Sequence, residues 1–291
     1  MPALADALAV LRTRLRCPSC LAHLVAAEDL TCAACGERWS QLPGGYVDLR
    51  VHAWDVGASR WQRRQDETCR YYDDLKDAHD EAVAAFRSDL APFAETLSGF
   101  SGWVLDVGGG NGIVRDVLPR ADQYVSVDPS SEWLAAGWDT LADAFPCVRQ
   151  PLTFVQAYAE HLPFADGSFD AAACIFTLNH CADPVAALRD MARVVRSGGA
   201  VLVVLEDGEP SYSEILSGAA SHYLIGSRAG LMAAKLSKPF GGWPTQTDHV
   251  AIDEAMLDRA TAGSLELARR WWAGCYLALE YRRAAAAAVT R

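Results

Sequence analysis

The sequence predicts an α/β protein with a Rossmann-like, doubly wound and mostly parallel sheet of seven strands, a small cysteine-rich N-terminal module and a helical lid insertion. Two observations support this prediction. From about residue 102, short apolar runs alternate with stretches of helical periodicity, which is typical of parallel strands joined by crossover helices. Before that point, two C-x-x-C pairs stand eleven residues apart, within the first 35 residues.

The chain divides into three predicted segments. Residues 1–50 form the cysteine-rich module, residues 51–98 a connecting and covering segment, and residues 99–291 the Rossmann-like domain. Within that domain, residues from about 208 to 247 interrupt the alternation of strands and helices, and they are predicted to form the lid. The predicted strands of the sheet are Trp103–Val107, Gln123–Val127, Leu152–Gln156, Phe169–Phe176, Ala200–Leu205, Leu265–Trp271 and Tyr276–Arg282.

Charge and composition restrict the possible partners. The chain has 26 Lys and Arg residues against 37 Asp and Glu, a formal net charge of −11. The excess of acid lies beyond residue 70, where it repels phosphate backbones and favours a small-molecule substrate over a nucleic acid. No apolar run approaches the roughly 18 residues of a membrane span, and the scattered cysteines are typical of a reducing compartment. A cytoplasmic protein without a membrane partner is therefore expected, and its oligomeric state is left open.

The sharpest local motif is VLDVGGGNG over residues 104–112, an apolar strand that runs into a glycine-rich loop and then a helix. Glycines allow a tight turn and close approach of a ligand to the backbone, and free N–H groups at the helix start attract anionic groups. Asp128 ends the next predicted strand, where a carboxylate can accept both hydroxyls of a ribose. Ile113 replaces the third glycine of the dinucleotide fingerprint, which argues against NAD or FAD.

This motif resembles motif I of the class I S-adenosyl-L-methionine (SAM) dependent methyltransferases. Residues 159–170 are similar to the family's turn along the adenine, residues 176–184 to its segment beneath the reacting methyl, and residues 188–205 to its helix, glycine turn and fifth strand. The resemblance covers residues from about 70 to 282 and implies SAM as cofactor. The cofactor-binding residues that it implies are Asp106, Gly108, Gly110, Gly112, Asp128, Pro129, Ala159, Glu160 and Thr177.

One position departs from the family pattern. Many members place an acid for the adenine amino group two residues before the residue equivalent to Glu160, and this chain has Tyr158 there. Either backbone groups and stacking alone hold the adenine, or the register shifts locally.

Methyl transfer requires alignment of a nucleophile with an activated methyl group, and a general base adds roughly 10²- to 10⁴-fold where the nucleophile carries a proton. Three residues are candidates for catalytic contact. His180 lies in the segment that resembles the family's motif IV, His249 follows the predicted lid, and Tyr72 lies in the segment that resembles the family's cofactor cover. For all three, a packed or surface role is the competing interpretation.

The four N-terminal cysteines are predicted to hold a structural zinc ion, as a zinc ribbon. Two C-x-x-C knuckles brought together by a hairpin present four thiolates in the tetrahedral geometry that Zn²⁺ prefers, and they leave no open coordination position. In so small a module, the metal supplies much of the folding energy. Disulfide pairing is the alternative. The predicted ligands are Cys17, Cys20, Cys32 and Cys35.

A zinc ribbon ahead of this catalytic domain is similar to the architecture of ribosomal RNA guanine-N1 methyltransferases. Charge nevertheless favours a small, apolar or aromatic biosynthetic molecule as the methyl acceptor. A ribosomal or transfer RNA base methyltransferase that uses the ribbon to hold RNA is one alternative, and a non-catalytic or non-methylating SAM-binding protein is another. Whether oxygen, nitrogen or carbon would be methylated is not predicted. The basic residues that favour RNA are Arg12, Arg14, Arg16, Arg60, Arg63 and Arg64.

Overall fold

The structure is a computed structural model. It describes residues 10–11, 13–24, 30–39, 41–42, 46–51, 87–110, 112–129, 152–206, 210–218, 228–237, 250–274 and 276–285. None of the helices in these ranges is both long and apolar enough to cross a membrane.

The described residues contain two sheets. The strands are β1 (Leu30–Thr31), β2 (Arg38–Trp39), β3 (Gln41–Leu42), β4 (Tyr46–Asp48), β5 (Ser101–Val107), β6 (Arg120–Asp128), β7 (Leu152–Gln156), β8 (Phe169–Ile175), β9 (Val195–Leu205), β10 (Leu265–Ala273) and β11 (Tyr276–Arg283). Strands β1 and β2 form a small hairpin, and the other strands form one sheet in the order β10-β11-β9-β8-β5-β6-β7-β4-β3.

The large sheet confirms the predicted Rossmann-like fold. Its strands from β9 across to β4 run parallel, whereas β10, β11 and β3 pair antiparallel with their neighbours. Strands β5 to β11 are the seven predicted from the sequence. Within the described ranges the sheet has nine strands, because β3 and β4 of the cysteine-rich module extend its edge beyond β7.

Short helices lie among these strands. They are α1 (Ala94–Ser98), α2 (Pro184–Val194), α3 (Tyr212–Ser217), α4 (Arg228–Ser237) and α5 (Glu254–Thr261), with 3₁₀ turns at Ala91–Phe93, Ile113–Val117, Ala159–His161 and Leu178–His180. The start of α2 is fixed by Pro184 in its first turn and by Asp183, whose side chain accepts the N–H of Ala186. Helices α3 and α4 belong to the predicted lid, and the rest of that segment lies largely outside the described residues.

Both faces of the sheet are buried, which explains the nearly continuous apolar runs of the central strands. On β5, Val104 faces a cluster that includes Phe93 and Leu118. Leu105, which points to the opposite face, belongs to a second cluster that includes Leu188. That second cluster continues into the cysteine-rich module, so the module and the Rossmann-like domain share one core. The module's members of the cluster include Leu11, Leu15, Leu24, Leu30, Trp39, Val47 and Leu49.

Candidate cofactor site and cysteine cluster

The predicted cofactor residues meet at the carboxyl ends of the parallel strands β5, β6, β7 and β8. Ligands of open α/β sheets bind at these strand ends, at the point where the strand order reverses. In this chain the order reverses at β5, which lies between β6 and β8. The structure therefore brings together four segments that are distant in sequence, namely residues 106–110 with 112, 128–129, 157–160 and 176–180.

The glycine loop after β5 adopts backbone conformations that favour glycine. Gly108, Gly110 and Gly112 have φ values of +71°, +49° and +83°. A Cβ added at Gly108 would collide with the side chain of Thr177, whose hydroxyl donates to the Gly108 carbonyl oxygen at 3.3 Å. The loop is thus held tightly against the segment after β8, and only glycine allows that approach.

The side chain of Asp106 packs against the glycine loop. Its side chain is 1% exposed and accepts a hydrogen bond from the hydroxyl of Tyr124. A Cβ placed on Gly109 would lie 2.5 Å from its Oδ2 atom. Burial raises the pKa of Asp106 to about 7; the Tyr124 hydrogen bond opposes this rise, and the charge of Asp128 adds to it. A direct contact of Asp106 with the cofactor stays a prediction.

Asp128 connects the second strand to the glycine loop. It ends β6, is 4% exposed, and its Oδ2 atom accepts the backbone N–H of Gly110 at 3.2 Å. Its position at the strand end fits the predicted ribose contact. The next residue, Pro129, accepts a hydrogen bond on its carbonyl oxygen from Nε2 of Gln156, at 2.8 Å.

The segment after β7 carries the predicted adenine-side residues. Tyr158 is buried, with extended backbone geometry, and Ala159 and Glu160 begin a 3₁₀ turn. The Glu160 carboxylate accepts the backbone N–H of Asp183 at 3.2 Å. Burial raises the pKa of Glu160, and the hydrogen bonds that its carboxylate accepts from backbone N–H groups limit this increase. Glu160 therefore fixes the segment before α2, and its contact with the cofactor stays a prediction.

The end of β8 is strained where it enters the site. Phe176 has a φ of +57°, a conformation that costs roughly 1–3 kcal/mol in a residue other than glycine and is concentrated at functional sites. Its ring packs against that of Tyr276, with 4.5 Å between centroids. His180 follows in a 3₁₀ turn, and its Nε2 atom lies 3.9 Å from Oε2 of Glu206, at the end of β9.

The His180–Glu206 pair includes a residue that sequence reasoning missed. The side chains are 15% and 31% exposed, respectively, so the pair is partly buried but still accessible. The sequence signal that could have identified Glu206 is its position directly after the apolar strand β9, at the ligand-binding end of the sheet. The other two catalytic candidates, Tyr72 and His249, lie outside the described residues.

The four predicted zinc ligands form one cluster. Their Sγ atoms all lie within 4.8 Å of one another, with 3.6 Å between Cys17 and Cys35 and 3.6 Å between Cys20 and Cys32. A tetrahedral zinc site with Zn–S bonds near 2.3 Å requires sulfur separations of about 3.8 Å, so the thiols fit the metal. All four are free thiols. Backbone N–H groups, that of Cys35 foremost, lower the pKa of Cys32 to about 7.

The two knuckles have the same backbone geometry. Leu21 and Gly36 each follow the second cysteine of a pair, and each donates its N–H to the carbonyl oxygen of the first, Cys17 and Cys32, at 2.7 and 2.9 Å. Both residues have positive φ values, +59° and +79°. The first knuckle thus holds a leucine in a conformation that glycine adopts more easily.

Part of the chain is similar to known methyltransferases. Residues 105–203 match a family described as "Methyltransferase domain". A ubiquinone/menaquinone biosynthesis C-methyltransferase, UbiE, from Haemophilus ducreyi is 39% identical over 116 residues, which are 38% of this chain and 44% of that protein. UbiE from Cellvibrio japonicus is 36% identical over 124 residues, 41% of this chain and 48% of that protein. An uncharacterized methyltransferase from Mycobacterium sp. (strain JLS) is 33% identical over 178 residues, 59% of this chain and 63% of that protein.

The chain thus spans about half the length of the UbiE proteins that it matches. Residues 105–203, which match the methyltransferase domain, extend from β5 to β9 of the Rossmann-like sheet, so this is the class of protein that they resemble.

Proposed function

We propose that this chain binds SAM at the carboxyl ends of β5 to β8 and transfers its methyl group to a small apolar or aromatic molecule. The observation that carries the proposal is the bridge from Asp128 to the N–H of Gly110. It places a buried carboxylate beside a glycine loop that has no room for a Cβ at Gly108. An adenosyl amino acid requires both features, a carboxylate for its ribose hydroxyls and exposed backbone for its polar end.

SAM supplies a methyl group on a positively charged sulfur, which is already a good leaving group. What remains for the protein is to orient the acceptor and to exclude water, effects that together contribute up to roughly 7–11 kcal/mol. Phe176 and Tyr276, whose rings pack against each other at an interplanar angle of 38° beside the end of β8, would form an apolar wall next to that acceptor.

His180 is the proposed general base. The Glu206 carboxylate, 3.9 Å from its Nε2 atom, stabilises the imidazolium that forms when His180 accepts a proton from an acceptor hydroxyl or acidic carbon. A base in such a position contributes roughly 10²- to 10⁴-fold in rate.

The UbiE relatives are named as C-methyltransferases of ubiquinone and menaquinone biosynthesis, which supports a small-molecule acceptor here. The net charge of −11 favours the same substrate class. The RNA alternative depends on basic residues near the cysteine module. One of them, Arg14, is used inside the fold: its guanidinium stacks on Trp103, 3.5 Å from the ring centroid, and donates to the carbonyl of Ser168. This contact removes Arg14 from an RNA-binding face.

For the cysteine cluster, we propose a structural Zn²⁺ ion held by Cys17, Cys20, Cys32 and Cys35. The tetrahedral fit of the sulfur atoms supports it. With four protein ligands, no coordination position is left for substrate or water, so the metal would stabilise the module and take no part in methyl transfer.

The cofactor assignment is tested by calorimetry with S-adenosylhomocysteine, the demethylated cofactor, on the metal-loaded protein. We expect binding, and we expect Asp128→Asn to weaken it about 10- to 100-fold, because charge-assisted hydrogen bonds to the ribose are lost. Asp122→Asn, at an exposed position of the same strand β6, is the matched control and should bind as the unaltered protein does. Absence of any heat of binding in the unaltered protein would remove the proposal.

The substrate class is tested with SAM carrying a labelled methyl group. A lipid-soluble extract of small molecules, ribosomal RNA and transfer RNA are offered separately to the purified protein. Label in the organic extract supports the proposal. Label in RNA alone, with binding that weakens steeply as salt increases, would establish the RNA alternative. Tight cofactor binding with no label in any fraction would favour the alternative of a non-methylating SAM-binding protein.

A further inference from the structure

The cysteine module is built into the same sheet as the candidate cofactor site. Strand β4 pairs in parallel with β7, with Val47 opposite Val155 and Asp48 opposite Gln156. The ladder continues one residue further, because the N–H of Leu49 donates to the carbonyl oxygen of Gln156 at 2.7 Å. On the other side of β7, Gln156 lies opposite Asp128 in the pairing with β6.

The side chain of Gln156 extends this connection to the turn after β6. It is fully buried, and its Nε2 atom donates to the carbonyl oxygen of Pro129 at 2.8 Å. Among the described residues, its buried Oε1 atom has no hydrogen-bond partner, which costs stability. Because Gln156 carries this cost and its side chain holds the turn that follows Asp128, positioning explains its role better than stability does.

A second connection joins the module to the segment that follows β7. The N–H of Arg16 donates to the carbonyl of Pro163, and the N–H of Ala165 donates to the carbonyl of Arg14, both at 2.8 Å. Between them, Leu15 and Phe164 form an antiparallel bridge. The module therefore contacts both β7 and the segment that follows it, which carries the predicted adenine-side residues.

We propose that the cysteine module is a positioning element of the cofactor site, and that Gln156 transmits its order to the Asp128–Pro129 turn. This inference rests on the proposed function and on the proposed zinc ion. When the four cysteines hold a metal, the module core that includes Val47 and Leu49 is ordered, β4 stays paired with β7, and Gln156 keeps Pro129 in place. Metal and cofactor then favour the same arrangement of one sheet edge, so each should strengthen the binding of the other by the same factor.

The first test compares Gln156→Met with Gln123→Met. Methionine keeps the size of glutamine but cannot donate to Pro129, and Gln123 is a partly exposed position on β6, away from the site. We expect Gln156→Met to weaken binding of S-adenosylhomocysteine about three- to tenfold, the value of one hydrogen bond. The midpoint of thermal unfolding should not fall, because the variant also removes the unpartnered Oε1. Unchanged affinity, or a loss of affinity only in proportion to a loss of stability, would overturn the role of Gln156.

The second test uses the full chain and measures the coupling in both directions, from metal to cofactor and from cofactor to metal. Calorimetry gives the affinity for S-adenosylhomocysteine with the metal present and after removal by a chelator. The effect of S-adenosylhomocysteine on metal binding is given by the chelator concentration that extracts half of the metal, measured with and without S-adenosylhomocysteine. Because this measurement starts from the metal-loaded protein, it does not depend on a folded metal-free form. We expect equal coupling factors in the two directions, and smaller ones in Gln156→Met.

The outcomes separate this inference from the proposed function. If the metal-loaded protein binds no S-adenosylhomocysteine, the proposed function fails. If it binds, but S-adenosylhomocysteine leaves metal retention unchanged, the function stands and the coupling is overturned. Purified, folded protein that binds S-adenosylhomocysteine with no metal present and no response to added zinc would also overturn it.

Discussion

The hydroxyl of Thr177 donates a hydrogen bond to the carbonyl oxygen of Gly108 at 3.3 Å, so the segment after β8 lies directly on the glycine loop after β5. The same hydroxyl lies 3.1 Å from the carbonyl oxygen of Ile175, so its single hydrogen is shared between the two carbonyl acceptors. Two neighbouring strand ends are thus joined where the site requires both, and the absence of a side chain at Gly108 is the condition for this contact.

Gly108→Ala should therefore abolish cofactor binding and destabilise the fold. The new methyl group would collide with Thr177 while the backbone stays at positive φ, and the two effects together cost about 2–5 kcal/mol. Gly198→Ala is the matched control, because Gly198 has a φ of +75° with nothing within 4 Å of an added Cβ. It should lose only about 1–2 kcal/mol and bind S-adenosylhomocysteine normally. Urea unfolding and calorimetry measure both effects, and equal losses in the two variants would contradict this prediction.

Asp106 should make stability depend on pH. Its pKa is about 7 in the folded protein because of burial, above the value near 3.9 expected in the unfolded chain. The folded state thus favours the protonated carboxyl group, and this contribution is present at low pH and is lost as the pH rises from about 4 through 7. Compared with the unaltered protein, Asp106→Asn should become relatively more stable over that interval.

Unfolding midpoints in urea at several pH values from 4 to 8 measure this difference. Asp122→Asn, at an exposed site on β6, controls for the general effect of removing a carboxylate. A stability difference between Asp106→Asn and the unaltered protein that stays constant across the interval would show that Asp106 does not titrate there.

The strands of the Rossmann-like domain could be predicted because both faces of the sheet are buried, which produces apolar runs that the sequence displays directly. The glycine loop and Asp128 could be predicted because their conformational and chemical requirements are local. The pairing of β4 with β7 could not, since β4 has only three residues and its partner lies more than a hundred residues away. The helix predicted after the glycine-rich loop forms as a 3₁₀ turn, Ile113–Val117, that follows Gly112 in a left-handed conformation.

Glu206 and Gln156 were missed for a related reason. The role of each depends on a distant neighbour, His180 for Glu206 and Pro129 for Gln156. Neither residue belongs to a motif with a fixed spacing, so only the packing of the sheet shows what each one contacts.

Glu214 anchors the first helix of the predicted lid to the sheet. Its carboxylate accepts hydrogen bonds from Arg270 at 2.6 and 2.7 Å, and from the indole N–H of Trp272 at 3.0 Å, both on β10. It also caps α3 through the N–H of Ser211 at 2.7 Å. Burial alone would raise the pKa of Glu214, but the bonds from Arg270 and Ser211 lower it to about 2.

Glu214→Gln should therefore destabilise the protein by about 1–3 kcal/mol at neutral pH, because Arg270 loses its charged partner. Glu254→Gln is the control: Glu254 lies 3.8 Å from the same arginine but is 59% exposed, and its removal should change stability by no more than about 0.5 kcal/mol. The stabilising effect of Glu214 is fully present above its unfolded pKa, near 4.3, and is lost as the pH falls through about 2. Urea unfolding at pH 7 and at pH 3 measures the change, and an equal loss in the two variants at pH 7 would contradict the prediction.

His180 and Glu206 should act as a pair in catalysis. If Glu206 stabilises the protonated imidazole across their 3.9 Å separation, then Glu206→Gln should reduce the rate of label transfer into the accepting small molecule. The affinity for S-adenosylhomocysteine should stay unchanged. His180→Asn should reduce the rate by roughly 10²- to 10⁴-fold, again with normal cofactor binding. Because a residue that only packs the site would alter affinity and rate together, a joint loss of both in His180→Asn would assign His180 a structural role and leave the proton to another group.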